Sequence, residues 1–478
     1  MRHRRALLPA FAVTTLFLAA ACSSPAPHAE PPASAGQEQR FTATESPADA
    51  ADHSLTVAAA PAAATTAAAG PPGSGQRAHR TTLAVHSYDG RTRRAVLTDQ
   101  PTHQGSSPAS PSVSPPVSPS VSPAAHRAAP GEVIASAPAP GAPHGLLAKV
   151  TKVLGETDRG TEVQTEPATL NALLGADTAK GAVPVDPSSF TVDKLLPDVK
   201  VSWSKAGDVH AGPKGATVPL GSLRLDVGAE VPTAKGAPAS ATASVRGFVQ
   251  VAPQVDFAYG GSGPDAPPGS AYLGVSGTWT SGWAVRGRAA QATGAPLRIP
   301  FARLHADPVL QVGPVPVVVN LDLTAYVQVS GDGHVSVDVE QNLKGAFKAG
   351  GAFGPGRSWT PVSSSDMHST PVHASVTADG SLRTALGAEA SVGLYGTVGV
   401  TADLAPYLRG EASGTLTGSL GRGGTRTGGT WGVYGGVDLS GTLRLQLSVF
   451  GTPVVQRDIP LGALHREWRL AGGRIPSL

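Results

Sequence analysis

The chain runs to 478 residues, room for several domains, yet 58 glycines and 44 prolines make up more than a fifth of it and point to a large low-complexity share. The formal charge is near balance at +3 with no basic block, which excludes the electrostatic footprint of a nucleic-acid binder. A single cysteine excludes an intrachain disulfide.

In chain order, Arg2, Arg4 and Arg5 precede an apolar stretch from Ala6 to Ala21 that Pro9 interrupts. It is too short for a comfortable membrane-spanning helix and ends in small residues, so residues 1–21 read as a secretory signal. Leu18-Ala19-Ala20-Ala21-Cys22 resembles the bacterial lipobox, with Ala19 where that pattern prefers Leu. The resemblance implies lipidation (palmitate) at Cys22. It also implies a membrane partner through that anchor and a place outside the cytoplasm, on the outer leaflet of a bacterial cell membrane. Full secretion after ordinary cleavage is the alternative, and Arg4-Arg5 leaves both general and twin-arginine export open.

Residues 22–143 show no sustained hydrophobic period and include Pro115-Pro116-Val117-Ser118-Pro119, so they read as a disordered Pro/Ala/Ser-rich linker. Within it, Thr82 to Leu97 has the pattern of a hairpin turning at Asp89-Gly90, too small alone to be a domain. Residues 144–189 read as a short helical lead-in. Leu146, Leu147, Val150, Val153 and Leu154 fall at helical spacing, and Thr165, Pro167 and Gly175 frame a second helix over 166–174.

Residues 190–478 carry β texture. Apolar and polar residues alternate from Leu223 to Val231 and from Ala239 to Val251, and every odd position from Val317 to Val329 is apolar. Gly331-Asp332-Gly333 reads as a turn before Val335, Val337 and Val339 resume the period, and Asp379-Gly380 reads as another. A last long strand is expected from Val433 to Val449. The fold class is therefore all-β, an elongated antiparallel sandwich or flattened barrel with long strands, preceded by one or two short helices.

Val251-Ala252-Pro253-Gln254-Val255-Asp256-Phe257, Gly313-Pro314-Val315-Pro316-Val317, Trp359-Thr360-Pro361, Gly393-Leu394-Tyr395-Gly396 and Trp431-Gly432-Val433-Tyr434-Gly435 follow one another in that order. The series resembles a group of secreted, β-rich bacterial proteins with a shared Gly-Pro-Val-Pro-Val module and a closing Trp/Leu-Tyr-Gly segment. The resemblance covers about Phe190 to Arg469. It implies fold and location, and brings no catalytic residues with it.

No Gly-x-Ser-x-Gly elbow, His-Glu-x-x-His pair or phosphate loop occurs. Ser202-Trp203-Ser204-Lys205 has the Ser-x-x-Lys spacing but sits in an expected strand without its partner motifs. Asp366, His368 and His373 are the best zinc candidates if their Ser/Thr-rich segment loops back, although a polar surface loop explains them as well. His305-Ala306-Asp307 reads as a solvated loop rather than a catalytic pair. Asp322, Asp338 and Glu340 share one wet face, where paired carboxylates and a plain solvated surface look alike. Trp279, Trp283, Trp359 and Trp431 lie near strand ends, where exposed rings would stack on sugars and buried ones would close the core.

The expected function is thus an exported, membrane-anchored surface lipoprotein, not an enzyme, with no cofactor, presenting a β-rich binding or structural module. Cell-wall glycan or an apolar ligand are the expected partners. The alternatives are a carrier of a lipid or other apolar ligand between the sheets and a cell-wall-active hydrolase. Oligomeric state stays open.

Overall fold

A computed structural model describes residues 54–61, 66–71, 77–99, 127–197, 199–204, 210–212, 215–217, 221–231, 242–263, 267–289, 296–354, 358–413, 417–419, 429–444, 447–452, 458–460 and 464–475. Residues 1–21, read above as a signal, Cys22 and the stretch 100–126 lie outside them. The fold is an all-β, antiparallel sandwich. Among the described residues, one sheet has seventeen strands, a second has seven and a third is a two-stranded hairpin.

The longest strand runs through Val315–Phe353, 39 residues, and the next, Trp359–Leu394, is its antiparallel partner along nearly its whole length. Gly331-Asp332-Gly333 and Asp379-Gly380 therefore make no turns. They lie on one long ladder, Gly333 opposite Gly380 and Asp332 opposite Ser381. Facing glycines place no Cβ between the strands, so the pair can bend there instead of ending. On the other edge of the 39-residue strand, Leu297–Ala306 pairs with its first half and Ser270–Ala289 with its second. A straight strand of this length would span on the order of 130 Å and could bury its inner face only against another layer. Here one half covers the other. Trp279 and Phe347 from one half line a common space with Leu323, Ala325, Leu386 and Ala402 from the other.

The register explains many of the glycines. Gly247 lies opposite Trp283, Gly345 opposite Trp279, Gly282 opposite Phe248, Gly387 opposite Tyr326 and Gly436 opposite Tyr407. At Gly345, Gly282, Gly387 and Gly436 the ring lies down over the space a side chain would fill, and at Gly247 the Trp283 Cβ and the backbone fill it. On the outer face a cation closes the stack: Arg224 over Phe248, Arg298 over Tyr326 and Arg383 over Tyr407, at 3.5 to 3.7 Å from guanidinium carbon to ring centroid. Tyr326 is only 1% exposed on what alternation marks as a wet face, because Arg298 covers it. Its hydroxyl donates to Asp403 at 2.6 Å.

Three expectations need correction, two in the N-terminal half and one near the C-terminus. The hairpin Leu83–Asp89 and Arg94–Asp99 is not part of a bare linker, since Arg94 to Leu97 pairs with Gln164 to Thr161 and so joins the seven-stranded sheet. Its turn is fixed by the Asp89 carboxylate, which accepts from the Arg91 amide at 2.9 Å. The lead-in 144–189 is mostly strand. Leu146–Thr157 pairs with Gly160–Pro167, and helix is confined to the single α-helical turn Asn171–Leu174, closed by Gly175 at φ 57°, and a 3-10 turn at Pro187–Ser189. The helical spacing misled because the start of that strand is buried on both faces: Leu146, Ala148 and Val150 enter one core, Leu147 the other, while Thr151 and Lys152 are exposed. The last expected strand stops at Arg444, and Leu447–Phe450 is a short 3-10 turn.

Candidate functional site

Of the four tryptophans named as sugar platforms, Trp279, Trp283 and Trp359 are buried core residues, 4%, 2% and 5% exposed. The first two are accommodated by the glycines opposite them, and Trp359 donates through Nε1 to Thr452 Oγ1 at 3.1 Å. Trp431 differs. It continues the inward set of Val433, Val437 and Leu439 on Gly429–Arg444 but stands at the sheet's end, half-buried. The cross-strand row through it is otherwise small: Gly333, Gly380, Ala412 and Gly473. That row leaves an open groove of about 740 Å³.

Trp431 and Tyr434 give the groove aromatic surface, Asp332 and Glu411 give it acceptors, and Arg469 and Arg474 give it donors. Two of these polar groups are held in place. Glu411 accepts from Tyr434 Oη at 2.7 Å and from Arg409, and Arg469 Nη2 donates to the Trp431 carbonyl at 3.3 Å. The hydrogen bond to Glu411, with burial beside it, raises the Tyr434 phenol above its ordinary value, so the ring stays neutral at physiological pH.

A second cluster forms where sequence reading placed a solvated loop. His305 ends the strand Leu297–Ala306, and Asp307 follows it. His305 Nε2 meets Asp307 Oδ2 at 2.9 Å, and its Nδ1 meets Asp322 Oδ1 at 2.7 Å. His144, from the turn before Leu146–Thr157, brings Nδ1 to 3.2 Å from Asp307 Oδ1. Asn320 donates to the same oxygen at 2.6 Å and accepts from the Gly396 amide. Burial works against charge on Asp307, but hydrogen bonds from Asn320, His305 and His144 outweigh it and hold the carboxyl below its usual value. Burial likewise opposes a charged His305, and the bonds to Asp322 and Asp307 outweigh it and raise that imidazole. Sequence reading had no signal for His144 or Asn320, which lie 161 and 15 residues from His305 along the chain.

The residues first named for zinc do not meet. Asp366 and His368 lie in the strand Trp359–Leu394, not in a loop, and Asp366 accepts from the Ala346 amide at 2.7 Å. His373 pairs in the same strand with Glu340, and an extended chain separates it from His368 by roughly 16 Å. The side chain of His373 lies outside what the structure describes. The three carboxylates do not gather either: Asp338 pairs with Arg286, Glu340 stands two positions along the same strand, and Asp322 lies sixteen positions from Asp338 beside His305. Ser202 sits in the strand Lys200–Ser204, and Lys205 lies outside the described residues.

Between the two layers lies a dry cavity of about 70 Å³, lined by residues such as Leu225, Val251, Trp279, Phe301, Leu386 and Leu404. A cavity of roughly 150 Å³ takes one benzene, so this space holds no acyl chain unless the layers part. The chain matches no family model, no curated protein and no solved structure.

Proposed function

We propose that the chain is an exported, membrane-anchored surface lipoprotein whose β-rich module binds glycan without cleaving it, and that the Trp431 groove is the binding face. The observation that carries the reading is a half-buried indole in an open groove whose rim holds the Glu411 carboxylate and the Arg469 guanidinium fixed by hydrogen bonds. The flat apolar ring suits the C–H face of a pyranose, and the rim groups suit its hydroxyls. The groove's volume falls in the range of small-molecule sites, about 300–1,000 Å³, which accommodates a short oligosaccharide. The lipobox-like end at Cys22 and the likeness to secreted β-rich proteins support the export half.

A lipid carrier has less support, because the space between the layers is so small. The test uses the full chain, sedimentation with purified cell-wall sacculi and calorimetric titration with soluble β-1,4-linked amino-sugar oligomers. Binding should be saturable, and Trp431→Ala should weaken it about tenfold or more, the equivalent of about 1.4 kcal/mol. Absence of binding, or binding unchanged in Trp431→Ala, removes the groove from the account. For the anchor, Cys22→Ala should move the protein from membranes to the medium, and unchanged fractionation would refute lipidation.

A further inference from the structure

We infer that His144, His305 and Asp307 form a divalent-metal site of the zinc class, which clips the segment leading into Leu146–Thr157 onto the sandwich. Two imidazoles and one carboxylate are a donor set that borderline cations take, zinc above all. Ligand bonds of about 2.0–2.1 Å put tetrahedral donor atoms roughly 3.3 Å apart. The ring nitrogens of His144 and His305 already stand 3.2 and 2.9 Å from the two oxygens of Asp307, and one ligand atom from each residue lies within 4.8 Å of the others. A small movement of each side chain opens the centre without rebuilding the backbone.

The second observation is the layer behind the donors. Metal-binding histidines usually hand their other nitrogen to a carboxylate, which orients the ring. His305 does this through Nδ1 to Asp322 at 2.7 Å. Asp307 is oriented by Asn320, which the Gly396 amide holds in turn. That amide comes from a tight turn in which Tyr395 has φ 47° and Gly396 φ 78°, a conformation costly for tyrosine and kept by its surroundings. Tyr395 is tied down by its hydroxyl, which donates to the Pro316 carbonyl. His144 is placed by its neighbour: Gly145, at φ 76°, packs so closely on Val318 that a Cβ would lie 2.5 Å from Cγ2. Segments far apart in sequence thus converge to aim three donors at one point.

The side chains of His144 and His305 are 43% and 41% exposed, so remaining coordination positions face solvent and would take water. The cluster borders neither the Trp431 groove nor the internal cavity. Neither space leads a polymer substrate to it, so a clip suits the cluster better than hydrolysis.

The experiment is calorimetric titration of the EDTA-treated full chain with ZnCl₂, with MgCl₂ as control, and thermal unfolding with and without zinc. Zinc should bind one to one and raise the unfolding midpoint, and magnesium should do neither. His144→Ala, which removes a partly exposed side chain, should leave the metal-free midpoint near that of the parent and weaken zinc binding by at least about tenfold. Asp322→Asn, behind His305, should weaken it by roughly ten- to a hundredfold. Co²⁺ should give the absorption of a four-coordinate centre in the parent and lose it in His144→Ala and His305→Gln. No saturable zinc binding would overturn the inference. So would zinc binding unchanged in both histidine variants, which would place the ion on other histidines of the chain.

Discussion

Gly387→Ala should destabilise the protein although it adds a Cβ to a strand. A Cβ at position 387 would lie 2.3 Å from Tyr326 Cζ and 2.4 Å from its hydroxyl oxygen, so the ring must lift. The ring has nowhere free to go. The Arg298 guanidinium lies 3.5 Å above its centroid, and the hydroxyl donates to Asp403 at 2.6 Å. Lifting it forfeits a hydrogen bond to a charged acceptor, about 1.5–3 kcal/mol, and part of a cation–π contact, about 0.5–1 kcal/mol. Against this, Gly→Ala in a regular element ordinarily gains about 0.5–1 kcal/mol. The balance is a loss of about 1–3 kcal/mol, the usual range for overpacking. Urea unfolding of the full chain measures it as a fall in midpoint at constant slope. In a Tyr326→Ala background the same substitution should turn neutral or stabilising, because nothing then occupies the space. A raised midpoint in the parent, or equal effects in both backgrounds, would refute the pairing of ring and glycine.

Leu323 lines the internal cavity, so Leu323→Asp should cost several kcal/mol; an unchanged midpoint in urea unfolding would mean the sheet's register is wrong. The Arg409 guanidinium holds Glu467 below its ordinary value, against burial and with help from Tyr407. A depressed folded value contributes stability that is fully present above the unfolded one, about 4.3, and lost as pH falls through the folded one. The gap in melting temperature between the parent and Glu467→Gln should therefore shrink as pH is lowered from 7 to 3, and a pH-independent gap would count against it. Ala402 lines the dry cavity, and Ala402→Val should stabilise by about 1 kcal/mol through filling it; a lower midpoint would show that the space is already closed.

Alternation was readable from Val317 to Val329, since a period of two has only one structural meaning over thirteen residues, although the polar face it marks is largely covered: Asp322 is exposed, while Asn320 and Tyr326 are buried. It failed in two recognisable circumstances. At Leu146–Thr157 only the first residues, Leu146 to Ala148, are buried on both faces, and apolar residues at adjacent positions there break the period of two and imitate a helix. At Gly331-Asp332-Gly333 the local composition of a turn is present, but a partner strand extends past it on each side, and ladder hydrogen bonds carry the chain straight through. The candidate sites were legible in part. Trp431 was among the residues named, but so were three tryptophans that the core takes. His305 and Asp307 were seen and set aside, because the partners that give them meaning, His144 and Asn320, are joined to them only by folding.

The sequence by itself determined the all-β class, the alternating faces of the long strands and the residues available for a site, because these follow from local periodicity and composition. Only the tertiary structure decided which glycine receives which ring, where the long sheet folds onto itself, and that Trp431 stays at an open end while Trp279, Trp283 and Trp359 are covered. These are matters of register and layer contact. Register is a relation between segments tens of residues apart, and shifting it by one residue exchanges every side chain between faces while leaving the local pattern unchanged.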